Sequence, residues 1–132
     1  MSSTRRSARA ATAPADITSG AAASGLPIDA VHDTYRLLDD NFDALYAASP
    51  TAAARAQLRA LHASARDAYW KAVADGLHDD NQIVQDIRRD LAGATALIQQ
   101  HIATLKDVTA VLGMLTEAVR LAGALVGLAA VR

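Results

Sequence analysis

From Val84 to Ala129 the sequence repeats at steps of three and four without a break. Val84, Ile87, Leu91, Ala94, Ile98, His101, Leu105, Val108, Leu112, Leu115, Val119, Ala122, Val126 and Ala129 all hold the spacing, and no proline interrupts it. Such steps place side chains on one stripe of an α-helix, whereas a strand repeats every second residue. No alternating run of β-formers occurs elsewhere, so the pattern predicts an all-α chain. About a quarter of the residues are alanine, the strongest helix former. Hydrophobic residues make up 52% and aromatic ones only 4%, so Leu, Val, Ile and Ala have to build the core. A length of 132 residues suits one domain rather than two.

Two shorter helices precede this stretch. Pro27 suits a first helical turn, and Ile28, Val31, Tyr35, Leu38, Phe42 and Leu45 form a heptad seam. This helix is expected to stop at Ala48, because the residue before Pro50 resists helical dihedrals. Ser49 as N-cap and Pro50 at the first position then predict a second helix. Its seam runs through Ala54, Leu58, Leu61, Ala65, Ala68 and Ala72, and it ends near Gly76–His78. So short a link makes the pair an antiparallel hairpin. Residues 26–49 carry five aspartates against Arg36, while residues 50–78 carry Arg55, Arg59, Arg66 and Lys71 against two aspartates. That opposition favours the pairing, although an exposed ion pair contributes only ~0–1 kcal/mol.

Asp80 or Asn81 is placed to cap the next helix, and two architectures compete for the rest of the chain. The unbroken heptad predicts one helix over 81–131, which at 1.5 Å per residue would be ~75 Å long. Alternatively the chain turns near 104–107, where Thr104 and Asp107 make a weak capping box. The fold class expected is therefore an antiparallel hairpin plus a long C-terminal helix, or a four-helix up-down bundle if that turn forms. The domain runs over 26–132. Residues 1–25 are rich in Ser, Thr, Ala and Arg with few large apolar groups, the composition of a disordered leader.

Several classes are excluded by what the chain lacks. It has no cysteine, hence no disulfide framework or thiolate metal site. A net charge of −1 with no basic face or stacking platform argues against nucleic acid. No apolar run follows the N-terminal arginines, so no cleavable secretory signal is expected; the chain is cytoplasmic or exported without one. Glu117 is the single glutamate, whereas carboxylate-bridged metal bundles use several glutamates with Glu-x-x-His pairs. Asp29 with His32 has no matching second set, and His78, Asp79 and Asp80 read as a solvated turn. His101 and Met114, as haem ligands, would lie thirteen residues apart on one continuous helix. No nucleophile–base set stands out, so neither cofactor nor enzymatic activity is expected.

Val108 to Val131 is the most informative stretch. Its polar residues are Thr109, Thr116, Glu117 and Arg120, and a helix apolar on nearly all sides is buried or in a membrane. Glu117 and Arg120, three apart, can pair. A span would set both near the bilayer centre at a cost of several kcal/mol. Gly123 and Gly127 form a GxxxG that permits close helix approach. The interaction surface expected here is Leu112, Leu115, Val119, Ala122, Gly123, Val126 and Gly127. His101 is expected to set register as a half-buried polar seam residue. Trp70, beside the second seam, either fills a gap left by alanines or anchors a partner.

These features point to a non-catalytic structural or interaction protein, a homo-oligomer or the partner of another helical protein. The plan resembles exported bacterial helical proteins that assemble through coiled coils, which implies a component or substrate of a bacterial export system and transfers no residue role. The alternative is a membrane-active protein whose 108–131 helix inserts into lipid. A third reading is a small inhibitor or chaperone using the acidic face of the first helix.

Overall fold

The computed structural model describes residues 25–104 and 107–131. The chain is all-α, with helices α1 (Pro27–Ala48), α2 (Ala52–Asp75), α3 (Gln82–Thr104) and α4 (Val108–Ala129). The expected leader lies, up to residue 24, outside the described residues, as do Leu105, Lys106 and Arg132.

The continuous heptad does not produce one long helix. Asp107 has an extended backbone (φ −143°, ψ 90°) that cannot propagate a helix, and its carboxylate accepts the Ala110 N–H at 3.1 Å as the N-cap of α4. Thr104 is the last residue of α3 rather than half of a capping box; its hydroxyl donates to the His101 carbonyl at 3.0 Å. The repeat survives the break because both halves face the same core. The resulting helices, of 22, 24, 23 and 22 residues, match in length.

The caps explain the other boundaries. Ser49 closes α1 instead of opening α2: its N–H donates to Tyr46 O at 3.2 Å and its hydroxyl to Leu45 O at 2.7 Å. Thr51 is the true N-cap of α2, accepting the Ala54 N–H at 3.0 Å. Asn81 caps α3 by accepting from the N–H groups of Ile83 and Val84 at 2.8 and 3.4 Å. Gly76 leaves α2 at φ 74°, ψ 155°, a region essentially reserved for glycine.

Helices α1 and α4 each pack against all three others, while α2 and α3 do not touch. An antiparallel bridge, Leu77 with Ala130, ties the ends of α2 and α4 together. His78 N–H donates to Ala129 O at 2.9 Å and Val131 N–H to Gly76 O at 3.0 Å. Both helices therefore finish at the same end of the bundle, with α1 and α3 running the opposite way.

This arrangement sets the core. Because α1 meets three neighbours, its buried stripe is broader than a heptad seam: Ala30, Val31, Thr34, Leu37, Leu38 and Leu45 are buried. Thr34 satisfies its hydroxyl on the Ala30 carbonyl at 2.9 Å. Leu58, Leu61, Ala65 and Ala72 of α2, and Val84, Leu91 and Ile98 of α3, close on the same interior. From α4 come Val111, Leu112, Leu115, Ala118, Ala122, Leu125, Val126 and Ala129. Each fully buried Leu, Val or Ile stabilises the fold by roughly 1.5–3 kcal/mol.

Candidate functional site

All five aromatic residues of the chain belong to α1 and α2, yet none is in the fully buried core. Tyr35, Phe42 and Tyr46 step by seven and four along α1, and His62 and Tyr69 step by seven along α2. These spacings put both sets on the faces that meet outside the core. The rings make a continuous seam along the hairpin. Tyr69 stacks on His32 at 4.5 Å and on Tyr35 at 5.9 Å between centroids. His62 sits between Tyr35 at 5.7 Å and Phe42 at 5.1 Å. Phe42 stacks on Tyr46 at 5.8 Å, and Trp70 tilts against Tyr69 at 5.3 Å.

Polar groups fix the seam at intervals. His62 Nε2 lies 2.9 Å from Asp39 Oδ1, joining α2 to α1. Arg59 donates to the Tyr46 hydroxyl at 3.0 Å. The guanidinium carbons of Arg55 and Arg59 lie 5.9 and 5.7 Å from the centre of the Tyr46 ring, within cation–π range. At this end the groove opens into a shallow cleft of about 420 Å³ lined by Phe42, Asp43, Tyr46, Ala47 and Arg59. The cleft has a carboxylate and two aromatic rings from α1 and a guanidinium from α2. The Asp39–His62 pair has ring neighbours, Tyr35 and Phe42.

The surface expected on the C-terminal helix is not assembled. Leu112, Leu115, Ala122 and Val126 are buried in the chain's own core and Val119 is half-buried. The turn at Asp107 folds α4 back so that α1, α2 and α3 cover its apolar stripe. Gly123 and Gly127 do face outward, and a Cβ added to either would meet nothing within 4 Å. Glu117 and Arg120 pair on the exposed side of α4, with Arg120 Nε donating at 3.1 Å. That hydrogen bond holds the Glu117 carboxyl below the ordinary carboxylate range and raises Arg120 in turn.

His101 is exposed, not half-buried, with Nδ1 3.0 Å from the Leu97 carbonyl. The apolar stripe of α3 passes instead from Ile98 to Ile102, so His101 falls outside it. Trp70 is 57% exposed and leans on Tyr69 at the edge of the seam. The remaining exposed large apolar residues are Leu26, Val73, Ile83, Leu97, Leu128 and Val131. All but Leu97 lie near the end where α2 and α4 are bridged. No three His, Cys, Asp or Glu side chains converge as a metal site among the described residues.

The aromatic groove was missed in the sequence because Tyr35 and Phe42 sit at heptad positions that read as core. The signal that could have found it was the pairing of two heptad-spaced ring sets, 35/42 and 62/69, on consecutive helices. No protein-family model matches the chain, and no curated protein or solved structure matches it either.

Proposed function

We propose that this chain is a non-catalytic helical interaction protein whose contact surface is the outer groove of the α1–α2 hairpin. One observation carries the reading: a protein with only five aromatic residues leaves all of them half-buried or exposed along one groove. Tyr, Trp, Phe and Arg are the residues enriched in binding surfaces and their hot spots. The fully buried core is made of Leu, Val, Ile and Ala, and Tyr35, Phe42, Tyr46 and Tyr69 pack on its edge with part of each ring left outside. The full-length chain carrying a photo-crosslinking side chain at Ala47, beside the cleft, tests this in its native cells. The same side chain at Gln100, on the exposed face of α3, is the control. Discrete protein adducts from position 47 and none from position 100 are expected. Adducts from neither position, or equally from both, would remove the groove as the contact surface.

A second reading has its own observation. Val108–Ala129 is long and apolar enough to cross a membrane, with a mean hydropathy of 1.6. Insertion would require α4 to leave the bundle and uncover the core that it shares with the other three helices. Dye leakage from neutral and anionic liposomes, at neutral and acid pH, is the measurement; no leakage in any condition removes this reading.

A further inference from the structure

The geometry points to a second copy of this chain as the occupant of the α1–α2 groove, docked about a two-fold axis that runs along the groove. This rests on the reading of the groove as the contact surface.

The argument is one of charge. The α1 wall carries Asp39 and Asp43, with Arg36 one heptad before Asp43 and drawn to Asp40 of its own helix at 3.7 Å, and the α2 wall carries Arg55, Arg59 and Arg66. Inside one chain these opposite charges are little used on each other. Arg55 donates to the Ser49 carbonyl at 3.2 Å, and Arg59 to the Tyr46 hydroxyl at 3.0 Å. Arg66 lies 3.9 Å from Asp67 of its own helix. Asp39 does reach across the groove to His62, but that contact is ionic only when the histidine is protonated.

A two-fold axis along the groove places the second copy's α1 over the first copy's α2 at the same height. Asp43 of each copy then faces Arg59 of the other, and the two aromatic floors meet face to face. An axis across the groove would set α1 over α1, carboxylate against carboxylate, and is disfavoured. The interface is isologous, so one charge pattern is satisfied twice. An anionic partner would meet the α1 aspartates, and a cationic one the α2 arginines. At the cleft end, where Asp43 and Arg59 stand on opposite walls, the groove is matched best by its own rotated image.

The contact area is sufficient for association without being large. Helix α1 has 22 residues, ~33 Å of length at 1.5 Å per residue. Two helix diameters give a width of ~20 Å. The face is therefore ~650 Å² per copy, near the ~800 Å² of a standard interface.

Sedimentation equilibrium of the full chain, over a series from micromolar to millimolar, reads the proposal directly. The unaltered chain is expected to form dimers and stop there. Arg59→Glu sets a second carboxylate against Asp43 of the other copy, and Asp43→Arg sets a second guanidinium against Arg59. Each variant alone should dimerise at least ~10-fold more weakly. Mixed in equal amounts, the two should recover association. In the mixed pair the unaltered Asp43 of one chain meets the unaltered Arg59 of the other, and the two substituted side chains meet with opposite charges. Circular dichroism verifies that both variants keep the native helical signal. A chain that stays monomeric throughout would overturn the proposal, as would single variants that dimerise like the parent or a mixture that stays monomeric. A monomer whose position 47 still crosslinks to a different protein overturns the second copy alone. Absence of adducts at position 47 removes the groove itself.

Discussion

Replacing Gly123 and Gly127 together by alanine should stabilise this protein, and the sign of the effect tests how α4 is used. Neither glycine has a positive φ, and a Cβ at either position meets nothing within 4 Å. Glycine inside a helix is less favourable than alanine because it surrenders more backbone freedom on folding. With no steric cost to set against this, each replacement should add ~0.4–1 kcal/mol. Residues four apart on a helix have Cβ atoms ~5–6 Å from each other, so the two methyl groups do not collide and their effects nearly add. The double variant should gain ~1–2 kcal/mol, which raises Tm by ~3–8 °C for a domain of this size. Urea unfolding followed by the helical circular-dichroism signal, with an unchanged slope, gives the free energy; a melt at two protein concentrations gives the second readout. If these glycines instead admit a close neighbouring helix, the added methyl groups push it away. Stability would then fall, and fall more at high concentration. A lowered Tm of that kind would refute the outward-facing assignment of this stripe and return self-association to α4.

Further substitutions probe separate parts of the fold. Leu115→Ala, at a fully buried position, should cost ~2–5 kcal/mol in urea unfolding, whereas Leu97→Ala, on the exposed side of α3, should change stability by no more than ~0.5 kcal/mol. Gly76→Ala forces a side chain into the φ 74°, ψ 155° conformation that ends α2; a loss of ~1–3 kcal/mol is expected, with faster amide exchange at His78 and Val131, the two N–H groups of the α2–α4 bridge. An NMR titration of Glu117 should show a midpoint below the ordinary carboxylate range, because Arg120 hydrogen-bonds the charged form, and Arg120→Gln should return it to that range. Since the folded carboxyl titrates below the unfolded one, its small stabilisation is present above the unfolded pKa and disappears as pH falls through the folded one.

The sequence revealed the helices far better than their ends. Apolar spacing was enough to mark α1 between Pro27 and Ala48, because Pro27 and the Ser49-Pro50 step punctuate it. Over 81–131 the same signal was blind to the turn. A heptad that faces one core reads identically whether the helix continues or folds back, and the break depends on the local backbone and cap of Asp107. Ser49 misled for a related reason: a serine before a proline can end one helix or begin the next, and its hydroxyl serves Leu45 rather than a following N–H. The candidate surface followed from the continuous-helix alternative, not from the turn near 104–107 that the Thr104 and Asp107 pair also offered. With α4 folded back, the residues that looked surplus on a long helix, Leu112, Leu115, Ala122 and Val126, become interior.

The charge split between α1 and α2 gains its meaning only once the hydrogen bonds are known. In the sequence, acidic α1 and basic α2 are sufficiently explained as partners in one hairpin. In the structure the apolar seam already holds them, with Leu38, Leu45, Leu58 and Leu61 closing one interior. Arg55 and Arg59 then turn to a carbonyl, a hydroxyl and the face of Tyr46 rather than to α1 carboxylates. Intramolecular pairing therefore leaves most of the asymmetry unexplained. Rings that are only partly covered by the core line the same groove, between walls whose opposite charges are mostly not paired with each other. A solvated hairpin has no physical requirement for either feature. A groove that closes on a rotated copy of itself requires both: apolar rings to give up their hydration, and opposite walls to fix the register in which they do so.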